Sequence, residues 1–400
     1  MIKRNPCFKR LFIPSIYPEV ESIIERFKKK NPHASLLSLS VGDTSQPLSP
    51  FVAHSLKAKV DALATPLGYR GYGPECGEKP LREKIAEVLY NNKFSWDEIY
   101  ISDGVKCDIG RLQVLFGSHV SVAVQDPSYP IYADTSHHLG QRELLYLPCE
   151  PGNNFFPQII KSDLLFFCSP NNPTGVAATR NELEQLVRQA KQNKTIIIYD
   201  AAYSHFISDP DYPRSIYEIE GAKEVAIELN SFSKLMGFTG VRLGWSIVPR
   251  QLKYESGEPI YPDWIRVILS FFNGASNISQ AGGLGALSPQ GLKEIEALAS
   301  FYMENTRFLK SVFLKKGFTV YGGDHCPYLW VKTAPLTSWE FFYDFLEQTH
   351  LITFPGVGFG PQGEGFARIS AFGKREDILE ASKRIEKYKT SYSGTVHCRS

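Results

Sequence analysis

Leu164-Leu165-Phe166-Phe167-Cys168-Ser169-Pro170-Asn171-Asn172-Pro173-Thr174-Gly175 is followed, after a helical pattern, by Thr195-Ile196-Ile197-Ile198-Tyr199-Asp200-Ala201-Ala202-Tyr203. Each apolar run lacks polar alternation and closes on turn residues or a polar residue, as a strand buried on both faces does. Between them, residues 181–191 place Leu183, Leu186, Val187 and Ala190 on one helical face. Thr179-Arg180-Asn181-Glu182 opens that helix with capping-box spacing, in which the Thr and Glu side chains satisfy each other's backbone N–H groups. Strand, helix and strand in this order predict a mainly parallel sheet covered by helices.

The same texture extends outward. Further apolar runs fall at 120–124, 144–147, 225–229 and 243–248, so the region from about 98 to 250 reads as one α/β unit. Upstream, Val20, Ile23, Ile24 and Phe27 give residues 17–30 the pattern of an amphipathic arm lying on another surface, and a short apolar segment follows at 36–41. Past about 280 come a long helix (290–316), a strand (328–331), an amphipathic stretch (339–348), a Gly/Pro-rich loop (354–365), a strand (366–371) and a last helix (376–388). The expected division is an N-terminal arm with part of a small domain at 1–40, a large domain at 41–285 and a smaller α+β domain at 286–400. The tail from Ser391 is expected to fray.

Composition narrows the partners. Forty-four basic residues stand against 42 acidic ones, a balance that favours neither nucleic acid nor a membrane surface. The seven cysteines are widely spaced with no C-x-x-C pair, and the nine histidines show no ligand spacing. Neither a disulfide framework nor a metal site is expected, and a reducing cytoplasm fits. The N-terminal residues lack a signal-peptide core, and no apolar run approaches the roughly 18 residues of a membrane span.

The chemistry gathers at strand ends. Ser231-Phe232-Ser233-Lys234 follows the run at 225–229, and Arg242 comes eight residues after the lysine. Pyridoxal phosphate needs a fixed Schiff-base lysine, hydroxyls and a cation for its phosphate, and this cluster offers them where α/β folds place ligands. Alone, the tetrapeptide is better read as a surface loop with a solvated lysine. Asp200 closes the run at 195–199, where a carboxylate can keep a pyridine nitrogen protonated, and Tyr203 can donate to the ring's 3-oxygen. The bland reading of Asp200 is a cap on the next turn. Asn172 can approach the same oxygen from the opposite side, although Asn171 to Gly175 would be turn residues on backbone grounds alone. Ser102-Asp103-Gly104-Val105-Lys106 opens an apolar-patterned segment, either as an ordinary capped helix or as a helix start whose free N–H groups attract phosphate.

Taken in order, these motifs resemble the fold-type I, class I/II aminotransferases over nearly the whole chain. The resemblance implies a large, mainly parallel sheet domain of the seven-stranded type, a smaller α+β domain, pyridoxal 5'-phosphate on Lys234, and a homodimer with shared active sites. It implies cofactor contacts for Val105 and Lys106 at the helix start, for Tyr129 stacked on the ring, and for Asn172, Asp200, Tyr203, Ser231, Ser233 and Arg242. Tyr72 matches the tyrosine that reaches the neighbouring subunit's phosphate. Arg368, in Phe366-Ala367-Arg368-Ile369-Ser370, matches the arginine that grips the substrate α-carboxylate through its planar fork.

Several strings are similar to those of the LL-diaminopimelate aminotransferases: Leu39 to Thr44, Tyr69 to Glu75, Ile101 to Lys106, Phe272-Asn273-Gly274-Ala275-Ser276 and Pro355 to Gly360. That family moves an amino group from glutamate to tetrahydrodipicolinate, giving LL-diaminopimelate and 2-oxoglutarate on the way to lysine and peptidoglycan precursors. The substrate's far end carries a carboxylate and an ammonium. The resemblance implies Lys106 for the first and Glu75, from the partner subunit, for the second. It implies room for the α-carboxylate end at Gly42, cofactor and substrate contact at Asn273, and substrate contact at Tyr129 and Asn172. One departure stands out: a tyrosine usual in the family's N-terminal string is Ser15 here, with Tyr17 two positions on. Val105 likewise replaces an alanine, with a backbone amide as the expected contact.

Two other readings share parts of this evidence. A broad-specificity aminotransferase or a C–S lyase would use the same cofactor motifs, because fold does not fix chemistry. A transcriptional regulator built on this fold would need an added basic helix-turn-helix, and residues 1–35 are too short for one.

Overall fold

The computed structural model describes residues 2–9 and 16–389. Ser15, Cys398 and the tail from Ser391 lie outside the described residues.

The chain begins with α1 (Ile16–Lys30), whose Val20, Ile23 and Phe27 are buried, and β1 (Leu37–Ser38). Helices α2 (Pro50–Leu63) and α3 (Lys79–Tyr90) lead into β2 (Ile99–Ser102) and α4 (Val105–Phe116). Then come β3 (Ser121–Asp126), α5 (Ile131–Leu139), β4 (Glu143–Pro148), β5 (Leu164–Cys168), α6 (Arg180–Asn193) and β6 (Ile196–Asp200). The sheet is completed by β7 (Ala226–Ser231), which passes into the one-turn α7 (Phe232–Leu235), and by β8 (Gly244–Ile247). The strands run in the order β2-β8-β7-β6-β5-β3-β4. β3 to β7 pair in parallel, whereas β8 is antiparallel to both of its neighbours.

The βαβ unit read from sequence is β5-α6-β6, and Thr179 and Glu182 form the capping box with Oγ1 and Oε2 2.9 Å apart. Side chains alternate between two cores. Leu165, Phe167, Ile197 and Tyr199 pack with α3 and α6 on one face, while Phe166, Ile198, Ile227 and Leu229 pack with α4, α5 and Trp264 on the other. Truncating one such fully buried apolar side chain to alanine costs about 2–5 kcal/mol. The run at 144–147 departs from the expectation of two buried faces. It is the edge strand β4, with Glu143 and Tyr146 exposed. The run at 243–248 is the one strand that reverses direction. β2 is not among the expected apolar runs, because its Tyr100 and Ser102 interrupt the aliphatic pattern.

Beyond β8 come α8 (Tyr261–Phe271), α9 (Asn277–Ala286) and the long α10 (Pro289–Lys315). A second sheet contains β9 (Val320–Gly322) and β10 (Tyr328–Lys332). After α11 (Ser338–Thr349) come β11 (Leu351–Ile352), β12 (Phe354–Pro355), β13 (Phe366–Ser370) and α12 (Arg375–Lys387). The second sheet has the order β12-β13-β10-β9. β1 pairs with β11, and α1 packs on Trp330, Phe342 and Phe354, so the N-terminal arm joins the C-terminal layer.

This topology positions the site. β3, β5, β6 and β7 end side by side, and their carboxyl ends lead to Tyr129, Asn172, Asp200 and Ser231. β13 brings Arg368 against Asn172 from the second layer.

Candidate active site

A cavity of about 430 Å³ lies at those strand ends, and Lys234 forms part of its wall. β7 delivers Ser231 as the cap of α7: its Oγ accepts the Ser233 N–H at 3.0 Å, which fixes the turn carrying Lys234. Lys234 Nζ donates to the Gly42 carbonyl and lies 5.2 Å above the Phe372 ring. Burial lowers its pKa to about 8; nearby Asp43 opposes this, while Arg368 and Arg242 add to it. The amine therefore gives up its proton more readily than an ordinary lysine, as a nucleophile or proton carrier requires.

One end of the cavity is built for an anion. Arg242 Nη1 donates to Ser233 Oγ at 3.0 Å, and its guanidinium lies across the start of α4. Gly104 makes that approach possible: its φ is +125°, and a Cβ there would sit 2.2 Å from Arg242 Nη2. Val105 and Lys106, the first residues of α4, line the same cavity, and the first N–H groups of a helix have no partner within it. Ser231, Ser233, Arg242 and a helix N-terminus together form a donor set suited to a phosphate.

Asp200 lies deeper and is buried. Its Oδ1 accepts the Ala202 N–H at 3.0 Å, and its Oδ2 accepts the Tyr132 hydroxyl at 2.7 Å. Burial raises its pKa, and the two hydrogen bonds pull it back toward the carboxylate. Burial also holds Tyr203 well above the ordinary phenol value, so it stays a donor; its hydroxyl is 3.0 Å from that of Tyr328. Tyr129 lines the cavity and meets Tyr132 edge-on, with ring centroids 5.8 Å apart.

Arg368 is 3% exposed, yet its hydrogen-bond partners carry no charge. Nη1 donates to Asn172 Oδ1 at 2.7 Å, Nη2 donates to the Ser40 carbonyl, and Nε has no partner. Aromatic rings surround it, with Phe359 at 4.6 Å and Tyr328 at 4.7 Å. A buried cation without a counter-ion is costly, and a carboxylate entering this cavity would relieve that cost. The surface ion pair that a lone strand arginine would otherwise form is not its arrangement here.

The cavity thus gathers Gly42, Val105, Lys106, Tyr129, Asn172, Asp200, Tyr203, Ser231, Ser233, Lys234, Arg242 and Arg368. Tyr72, Glu75 and Asn273 do not line it. Tyr72 is 89% exposed, Glu75 and Asn273 are also exposed, and Gly274 packs against the backbone of Pro74 and Glu75, so the three share one surface region. The space beside Gly42 is taken by the Tyr328 hydroxyl, which a Cβ at that position would meet at 1.9 Å. Tyr17 reaches the cavity wall, its ring 4.8 Å from that of Phe354. Tyr132 and Tyr328 were missed by sequence reasoning. Tyr132 sits in the mixed polar helix α5 and Tyr328 in the apolar strand β10, and no local motif marks either.

Residues 34–385 match the family described as aminotransferase class I and II, and the chain belongs to that family. Within it, the likeness runs to the LL-diaminopimelate aminotransferases, as the strings at 39–44, 69–75 and 101–106 led us to expect. The LL-diaminopimelate aminotransferase of Protochlamydia amoebophila is 50% identical over 99% of this chain and 100% of that one. The chloroplastic LL-diaminopimelate aminotransferase of Arabidopsis thaliana is 48% identical over 96% of this chain and 87% of its own. The solved L,L-diaminopimelate aminotransferase of Chlamydomonas reinhardtii superposes with a TM-score of 0.93 at 50% identity, covering 97% of this chain and 99% of that one.

Proposed function

We propose that this chain uses pyridoxal 5'-phosphate to move an amino group from glutamate to the open-chain form of tetrahydrodipicolinate, giving LL-diaminopimelate and 2-oxoglutarate. The observation that carries the reading is the buried, charge-unpaired Arg368 sharing one cavity with a Lys234 that gives up its proton more readily than an ordinary lysine. The donor set fits the cofactor: Lys234 to hold it, Arg242, Ser231, Ser233 and the start of α4 for its phosphate, Asp200 for its ring nitrogen, and Asn172 and Tyr203 for its 3-oxygen. When bound, pyridoxal phosphate supplies a carbonyl carbon that receives the amino group and a ring that draws electrons from the substrate Cα.

The chain's own residues do the rest. Arg368 and Asn172 bind and orient the α-carboxylate, with Tyr129 packing over the ring plane. Lys234 Nζ takes the proton from the donor's Cα and returns one on the acceptor side, so a single amine serves both half-reactions in a ping-pong cycle. Lys106 lines the same cavity, and we assign it to the substrate's distal carboxylate. Tyr72, Glu75 and Asn273 are exposed and away from their own cavity, which supports a homodimer in which they complete the partner's site. A cytoplasmic setting is supported by the six cysteines among the described residues, all free thiols. Among the described residues, no helix is long and apolar enough to cross a membrane.

The test is 2-oxoglutarate-linked turnover of purified enzyme with LL-diaminopimelate as donor, alongside Lys234→Ala. We expect turnover and the absorbance of the lysine–cofactor Schiff base in the wild type and neither in the variant. A Schiff-base absorbance unchanged in Lys234→Ala would remove the lysine's role. Comparable turnover with aromatic donors would favour the broad-specificity reading.

A further inference from the structure

Asp200 is anchored by a residue that no motif reading singled out. Tyr132, on the first turn of α5, is 1% exposed and donates its hydroxyl to Asp200 Oδ2 at 2.7 Å. Its ring is fixed on both sides. It stacks on Phe166 at 5.0 Å and 11°, and Tyr129 meets it at 90°. Beneath the pair, Cys168 is the cross-strand partner of Asp200 in the β5–β6 register. We propose that Tyr132 is a positioning residue that keeps Asp200 an oriented carboxylate toward the cofactor's ring nitrogen. This rests on the reading above that the cavity holds pyridoxal phosphate.

The physical need is specific. A carboxyl group buried at a strand end tends to take up a proton, and a neutral acid no longer stabilises a positive charge on a pyridine nitrogen. Two hydrogen bonds donated to Asp200 oppose that tendency: the Ala202 N–H at Oδ1 and the Tyr132 hydroxyl at Oδ2. The titratable groups facing Asp200 are Tyr132, the Cys168 thiol and Tyr129, with Tyr203 and Lys234 across the cavity. Burial and the neighbouring carboxylate hold Tyr132 well above the usual phenol range, so it stays protonated and can only strengthen the charged form of Asp200. With both oxygens engaged, the carboxylate cannot rotate freely. Its remaining lone pairs are aimed by Tyr132 and Ala202.

A buried tyrosine could satisfy its hydroxyl on Asp200 for packing alone, and the experiment separates that role from the proposed one. Tyr132→Phe keeps the ring on Phe166 and removes one oxygen. In the holoenzyme, the acid-side titration of the bound cofactor's absorbance should move up by about one pH unit. The cofactor dissociation constant should rise about tenfold, equivalent to about 1.4 kcal/mol. In an Asp200→Asn background the same change should add nothing further, a coupling that a packing role does not produce. Tyr199→Phe removes a buried phenol next to Asp200 on the other face of the sheet and should move neither quantity.

An unchanged titration and affinity in Tyr132→Phe, or the same tenfold loss with Asp200→Asn, overturns the inference alone. A wild-type protein that forms no cofactor band overturns it together with the reading it rests on.

Discussion

Placing a methyl group on Gly42 should cripple substrate binding without unfolding the protein. The added Cβ would lie 1.9 Å from Tyr328 Oη and 3.1 Å from Cζ, whereas real Cβ atoms essentially never come within 3.0 Å. The phenol must therefore retreat by about 1.1 Å, from 1.9 to 3.0 Å. It has little freedom to do so. Tyr328 is fully buried, its backbone is registered against Ser370, its hydroxyl meets Tyr203 at 3.0 Å, and Arg368 lies 4.7 Å over its ring. Overpacking of this kind costs about 1–3 kcal/mol. Because Arg368 and Tyr203 move with the ring, most of that cost should appear at the carboxylate site. We expect kcat/KM for glutamate to fall about 10- to 100-fold, mainly through KM, at about 1.4 kcal/mol per decade. The assay is steady-state kinetics of Gly42→Ala with and without Tyr328→Phe. Removing the oxygen leaves Cζ at 3.1 Å as the nearest atom, a fit that tenths of an ångström can accommodate. The alanine should then cost about threefold or less relative to Tyr328→Phe alone. A wild-type KM in Gly42→Ala, or an equal loss in both backgrounds, refutes the steric argument.

Lys234→Met in cofactor-free protein should raise the denaturation midpoint at pH 7, because a partly buried, desolvated ammonium is removed. The unfolded chain binds the proton up to about 10.5 and the folded one only to about 8, so wild-type stability rises with pH across that window. The advantage of methionine, at most about 3 kcal/mol, should therefore shrink as pH increases from 8 toward 10.5; an advantage that grows with pH contradicts it. Asn172→Ala removes the acceptor that Arg368 uses at 2.7 Å. A hydrogen bond to a charged group contributes about 1.5–3 kcal/mol, so kcat/KM for both amino-acid donors should fall at least about tenfold. Equal kcat/KM in mutant and wild type would show that Asn172 does not orient the arginine.

The sequence was most legible where one element buries uniformly. β5, α6 and β6 could be read because runs such as Leu164 to Cys168 have no exposed face, and Leu183, Leu186, Val187 and Ala190 share a stripe. The strand at 144–147 misled because its apolar residues sit at an edge, where Tyr146 remains exposed. Pairing direction was hidden as well: nothing in the run at 243–248 tells a reversed strand from a parallel one, since both bury two faces. In the site, residues inside turn motifs could be found because turns have few reasons to repeat a polar residue. Tyr132 and Tyr328 could not. An aromatic residue facing a core looks the same in sequence whether its hydroxyl is idle or bonded to Asp200 or Tyr203. Nor could the sequence say that Gly42 makes room for a neighbouring phenol, because that partner lies 286 residues away along the chain (328 − 42).

The contact between Arg368 and Asn172 also fixes which way round the Asn172 amide sits. A guanidinium can only donate, so Asn172 must present its carbonyl oxygen to Arg368 and its NH₂ elsewhere. The amide has one orientation, set from the second layer of the fold, and that orientation makes its other end a donor.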